Sequence, residues 1–192
     1  MPVLVIIAGA NGSGKSSYSR FISKRIGIRI LDPDKLGETA ESGYSKFFAD
    51  GRKLHHLVQS FLSAGESFGI ETTLSGRTIL GTMRRARGLG YEIRLVYILT
   101  QDVETNIARV ALRVRRGGHD VAENDVRRRF VRSLANLPHA MKLSDFTYLL
   151  DNSSDGPGPE VRLQLLAIYE GWEAKFYSPL PSWATALTIP GA

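Results

Sequence analysis

Hydrophobic positions along this chain alternate between short unbroken runs and spaced repeats. VLVIIA (3–8) is a continuous apolar, β-branched run, the pattern of a strand buried on both faces. After a Gly-rich turn, Lys15 to Arg25 spaces Tyr18, Phe21 and Ile22 as a helix does. IRIL (28–31) reads as a second strand, and DPDKL (32–36) carries the chain out of it. GRKLHHLVQSFLSAG (51–65) is a helix with a Gly stop, SFGIETT (67–73) a third strand, TILGTMRRARGLG (78–90) a helix, and YEIRLVYILT (91–100) a fourth strand. Asp102 to Arg116 and Glu123 to Leu137 are helical on either side of GGH (117–119), with Pro138 after the second. FTYLLDNS (146–153) is a fifth strand. The stretch 162–177 fits two short strands or a strand and an irregular segment, and PSWATAL (181–187) fits a last helical turn.

Strands alternating with helices predict βαβ units: a three-layer α/β/α fold with a five-stranded, mostly parallel sheet. Right-handed crossovers would bring Gly9, Asp32, Glu71, Thr100 and Asp151, which follow the five runs, to one edge of that sheet. Neither repeats nor a composition shift divides the chain, so a single domain over residues 1–192 is expected, with 109–137 as a lid-like helical segment.

Composition narrows the chemistry. The 192 residues, 43% of them hydrophobic, suit one α/β core. The chain has no cysteine, which excludes disulfides, thiolate catalysis and Cys-based zinc sites. The first apolar run is too short to span a membrane and lacks a basic region ahead of it, so a soluble, cytoplasmic protein is expected. The net charge of +6 is concentrated in 109–132, where Arg109, Arg113, Arg115, Arg116, Arg127, Arg128, Arg129 and Arg132 face only Asp120, Glu123 and Asp125. Such a stretch is a nucleic-acid surface, a wall of a phosphate-transfer site or a solvated helix face.

The turn after the first strand supplies the sharpest motif. GANGSGKS fits G-x-x-x-x-G-K-[ST] between a strand and a helix, the context a phosphate-binding loop requires. Gly9, Ala10, Asn11, Gly12, Ser13, Gly14, Lys15, Ser16 and Ser17 are the candidate nucleotide-binding set. Backbone N–H groups would wrap the phosphate, Lys15 would reach the β/γ-phosphates, and Ser16 would offer its hydroxyl to magnesium.

Carboxylates separate transfer from hydrolysis. Asp34, just past the second strand, is placed either to take a proton from an acceptor hydroxyl or to cap a helix starting at Lys35. Asp32 is a partner for Lys15 or metal-bound water, or a turn cap. Glu71 closes the third strand, where it could hold magnesium-bound water or orient an acceptor, and Arg77 in GRT (76–78) could touch that acceptor. The long hydrophobic strand ending in Asp-Glu that an ATP-driven machine uses to activate water is missing. Two arginine-bearing helices hinged at Gly117 and Gly118 would close over the moving phosphoryl group and exclude water, while Arg109 or Arg113 could flank the base.

GANGSGKSS, LDPD, IETTLSGRT, GYEIRLVYILT, RVRRGGHDV, and RRRFVRSLANL followed by LLDNS together resemble the zeta-toxin-like P-loop kinases, of the UDP-N-acetylglucosamine kinase type, over roughly residues 3–153. The resemblance implies transfer of the ATP γ-phosphate to a hydroxyl of a UDP-N-acetyl sugar, with Mg2+. A small helical antitoxin would be a partner, and no membrane partner is implied. It implies Lys15 and Ser16 holding ATP and magnesium, Asp34 as base, and Glu71, followed by Thr72, at the acceptor. Arg116 and Arg129 would be catalytic cations, with Arg127 and Arg128 toward the acceptor. Ala122 stands where many similar proteins carry proline. Two rivals remain: a polynucleotide end kinase, favoured by the basic charge, and an ATP-binding switch without turnover.

Overall fold

The computed structural model describes residues 1–33, 44–153, 163–171 and 173–179. Asp34 and the stretch PSWATAL lie outside the described residues. Among the described residues, seven strands and five helices alternate. They are β1 (Val3–Ala8), α1 (Lys15–Ile26), β2 (Ile30–Leu31), α2 (Tyr44–Ala64), β3 (Phe68–Thr72), α3 (Thr78–Gly88), β4 (Glu92–Leu99), α4 (Val103–Arg115), α5 (Glu123–Met141), β5 (Phe146–Asp151), β6 (Gln164–Glu170) and β7 (Glu173–Phe176).

The strands form one sheet in the order β2-β3-β1-β4-β5-β6-β7. The first five in sequence pair in parallel, and β6 and β7 add antiparallel pairings at one edge. The five-stranded, mostly parallel sheet expected from the sequence is therefore corrected to a seven-stranded mixed one. The physical reason is the character of the last two strands. Every residue of β7 (EAKF) is exposed, so burial on a core face does not specify its place in the sheet. Gly171 turns β6 into β7 with a φ of 57°, a short antiparallel return that needs no crossover helix.

Alternation along β1 builds two cores at once. Leu4, Ile6 and Ala8 join the larger core, together with Val58 and Leu62 of α2, Ile79, Leu80 and Met83 of α3, and Leu137 and Ala140 of α5. Val5 and Ile7 face the other side with Val96 and Ile98 of β4, where Tyr18 of α1 packs. A strand that feeds both faces must be apolar throughout, which is why VLVIIA reads as an unbroken run. A second correction concerns α5. It does not end at Leu137 but continues through Pro138 to Met141, because Ala140 and Met141 are buried against the core. Burial of that last turn outweighs the missing proline N–H.

β1 lies between β3 and β4, so successive connections leave it in opposite directions. This is a topological switch point, and the crevice beyond the carboxyl ends of these strands is where an α/β sheet takes its ligand.

Candidate functional site: a phosphate loop and its clasp

The loop from Gly9 to Gly14 rises from β1 into that crevice. Gly9 has a φ of 146° and Gly12 of 80°, the left-handed region glycine tolerates. Packing demands glycine as well. A Cβ on Gly12 would lie 2.5 Å from the Asn106 carbonyl oxygen, and one on Gly9 2.5 Å from that of Ile98. Lys15 is buried, and its Nζ donates to the Ala10 carbonyl at 2.8 Å, so the ammonium lies over the loop that it closes. Helix α1 begins at Lys15 with Gly14 as a left-handed cap and no side-chain cap, which leaves its positive end to the loop.

Glu71 binds the neighbouring strand to this helix. It is only 5% exposed, at the end of β3 beside β1. Ser16 Oγ donates to its Oε1 at 2.7 Å and Ser19 Oγ to its Oε2 at 2.8 Å. A hydroxyl and a carboxylate oxygen side by side form a hard-oxygen pair. Magnesium, which takes few protein ligands and completes its shell with phosphates and water, suits such a pair. Among the described residues no group of three or more His, Cys, Asp or Glu could hold a metal. Asp32, at the end of β2, is also buried.

Beneath the loop lies a buried amide cluster. Asn106 of α4 is fully buried; its Nδ2 donates to the Asn11 carbonyl at 2.5 Å, and its Oδ1 accepts from Thr100 Oγ1 at 2.5 Å. Asn152, just past β5, donates from Nδ2 to the Ser13 carbonyl at 2.8 Å and from its backbone N–H to the Leu99 carbonyl at 2.9 Å. Arg109 Nη1 donates to the Asn152 carbonyl at 2.6 Å. Sequence reasoning missed Asn106, Asn152 and Ser19. Asn152 had a weak signal, its position directly after a strand end.

The arginines divide by environment. Arg129 of α5 reaches the loop, its Nη1 donating to Asn11 Oδ1 at 3.4 Å. Arg127 is engaged elsewhere: Nη1 and Nη2 both donate to the Glu104 carboxylate, at 2.5 and 3.0 Å, and Nη2 also to Glu123 at 2.7 Å. These hydrogen bonds hold the Arg127 guanidinium well above its usual range and the Glu104 carboxyl below its own. Arg128 pairs with Asp125 at 2.8 Å. Arg113 Nη2 donates to the His119 carbonyl at 2.7 Å, bracing the Gly117–Gly118 turn. Arg116, which caps α4, and Arg77, before α3, are exposed. Thr72 Oγ1 accepts from the Leu74 N–H at 3.1 Å, shaping the chain beyond Glu71. The structure thus gathers the loop, Glu71, Arg109 and Arg129 by direct or shared hydrogen bonds, while Arg127 and Arg128 pair with carboxylates and Arg116 and Arg77 are exposed.

Comparison with known proteins places this arrangement. The family model described as an AAA domain matches residues 4–137. The chain belongs to the AAA domain family. This AAA domain is 34% identical over 129 residues to an uncharacterized protein of Haemophilus influenzae, a match covering 66% of the chain and 91% of that relative. Its fold is shared with the AvrRxo1-ORF1:AvrRxo1-ORF2 complex solved with sulphate ions (TM-score 0.69, 18% identity), which covers all of this chain and 65% of that one. A structure of the same complex with ATP aligns with the same TM-score of 0.69 at 17% identity. The PezAT chromosomal toxin–antitoxin system of Streptococcus pneumoniae gives a TM-score of 0.60 at 19% identity, over 79% of this chain and 68% of that one. At these identities the likeness is one of fold: a P-loop architecture related to toxin–antitoxin structures. Among the described residues no helix is long and apolar enough to cross a membrane.

Proposed function

We propose that this AAA domain is an ATP-dependent phosphotransferase of the zeta-toxin-like kind, moving the γ-phosphate to a hydroxyl of a small acceptor, a UDP-N-acetyl sugar first among candidates. The observation that carries this reading is Arg129 of α5 beside the phosphate loop, 3.4 Å from Asn11 Oδ1. A guanidinium there faces the place where charge spreads over a moving phosphoryl group, and its planar fork suits those oxygens.

The loop N–H groups and Lys15 would hold the triphosphate. Ser16 and Glu71, whose oxygens lie 2.7 Å apart, would hold magnesium between them and the phosphates. Magnesium, when bound, neutralises charge on the β- and γ-phosphate oxygens. Asp34, three residues beyond the buried end of β2, would accept the proton of the acceptor hydroxyl as that oxygen bonds to the γ-phosphorus and the bond to the β-phosphate oxygen breaks. Helices α4 and α5 would act as the lid that keeps water from this position, with Arg129 as the charge-stabilising arginine. A small helical antitoxin is the partner this reading favours.

The test is incubation with labelled ATP, magnesium and a panel of nucleotide sugars, free sugars and oligonucleotides, with mass spectrometry of the products. A phosphorylated nucleotide sugar is expected, and Asp34→Asn should abolish its formation while ATP still binds. A phosphorylated oligonucleotide would replace the acceptor assignment, and no product from any acceptor would overturn the transferase reading.

A further inference from the structure

We infer that Asn106 and Asn152 are positioning residues that set the phosphate loop for an anion before the anion arrives. The inference rests on the reading of this loop as the seat of a nucleotide's phosphates, and it concerns what fixes the loop's peptide planes. A peptide unit is planar, and among the described residues none is cis, so each carbonyl points away from the N–H of the following residue. Asn106 Nδ2 holds the Asn11 carbonyl, which turns the Gly12 N–H to the opposite side. Asn152 Nδ2 holds the Ser13 carbonyl and so turns the Gly14 N–H. Lys15 Nζ and the Ser13 N–H hold the Ala10 carbonyl, which turns the Asn11 N–H. Among the described residues, the N–H groups of Asn11, Gly12 and Gly14 make no hydrogen bond to a protein acceptor. The two amides fasten two carbonyls from beneath the loop, and the Gly12 and Gly14 donors are left for a ligand on the other side.

The fastening is built to be rigid. Asn106 is fully buried and fixed at its other end by Thr100; Asn152 is fixed through its backbone by Leu99 and Arg109. Glycines at positions 9, 12 and 14 make the loop intrinsically loose, since each tolerates many peptide orientations. Removing that freedom beforehand converts loop ordering into anion affinity. Because both Nδ2 groups bond carbonyls of the loop, their effect belongs to the phosphates and not to the base.

The test uses inorganic tripolyphosphate with magnesium as the probe, titrated calorimetrically beside ATP. Asn152→Ala and the similarly sized Asn152→Leu, each checked for thermal unfolding, are expected to weaken tripolyphosphate and ATP alike by about tenfold. Tyr97→Phe loses a buried hydrogen bond away from the loop, to Ser133 Oγ at 2.8 Å. It is expected to lose stability but to bind tripolyphosphate within about twofold of wild type. Folded Asn152 variants binding within about twofold of wild type, or Tyr97→Phe weakening binding as much as they do, would overturn the inference. If the wild type binds neither tripolyphosphate nor ATP, the reading of the loop falls first and the inference with it.

Discussion

The underside of the phosphate loop and the outer face of the arginine helices are both polar, yet they are held by different physics. Under the loop, Asn106, Asn152 and Thr100 are buried, and the Nδ2 hydrogen bonds of the two amides cross between distant parts of the chain. Along the helices, Arg127 is held by Glu104 and Glu123 and Arg128 by Asp125 in exposed ion pairs. Buried polar groups are costly to leave unpaired, so they lock a geometry; exposed pairs gain little and are screened by salt. The comparison teaches that buried amides fix the loop where the phosphates would sit, while the outer arginines are held only by exposed pairs, as the proposed lid would require.

The largest effect expected is at the loop itself. Lys15→Ala should cut phosphoryl transfer by about 10²–10³-fold, measured as initial rate, while circular dichroism stays unchanged. Glu71→Gln comes next. It replaces a charged acceptor of the Ser16 and Ser19 hydroxyls, so the magnesium concentration for half-maximal binding of ATP should rise by about ten- to a hundredfold. Tyr97→Phe, which removes a hydrogen bond between β4 and α5 and leaves Ser133 Oγ buried without that partner, should lower stability by about 1–3 kcal/mol in urea unfolding.

The smallest effect belongs to the outer face. Arg127→Ala should lower the thermal midpoint only slightly, and less in high salt. Its pH dependence has a definite sign. Hydrogen bonding to Arg127 holds the Glu104 carboxyl below its ordinary value. That pair therefore contributes above the unfolded carboxyl pKa of about 4.3, and its contribution is lost as pH falls through the lowered folded value. The difference between Arg127→Ala and wild type should vanish in acid. A large, salt-independent loss at Arg127, or a negligible one at Tyr97, would erase the contrast between the two regions.

Much of this was legible in the residues. The five apolar runs and the GANGSGKS spacing give the parallel strands and the loop at their edge, because a buried parallel strand needs continuous hydrophobicity and a phosphate cradle needs glycine at fixed offsets. Two short strands over 162–177 were one of the two alternatives legible there, and β6 and β7 take it; their antiparallel addition to the sheet was not legible, since every residue of β7 is exposed and no buried face specifies its place. Nor was the last turn of α5, where burial of Ala140 and Met141 overrides Pro138. Least visible were the amides. Asn106 meets Asn11 95 residues away and Asn152 meets Ser13 139 residues away, while in sequence an asparagine carries only a turn or cap signal. The arginine run, conspicuous by composition, concealed a division that only packing reveals: Arg129 reaches the loop as well as Asp125, while Arg127 bonds carboxylates on both sides.

The claim that the held phosphate goes to another molecule is tested most directly by one partition measurement. Wild-type protein is supplied with γ-labelled ATP, magnesium and UDP-N-acetylglucosamine, and the label is counted on the sugar nucleotide and in free phosphate within the same reaction. The proposed activity predicts label mainly on the sugar nucleotide, with little ATP consumed when the acceptor is omitted. Equal ATP consumption with and without any acceptor of the panel, with all of the label in free phosphate, would contradict it.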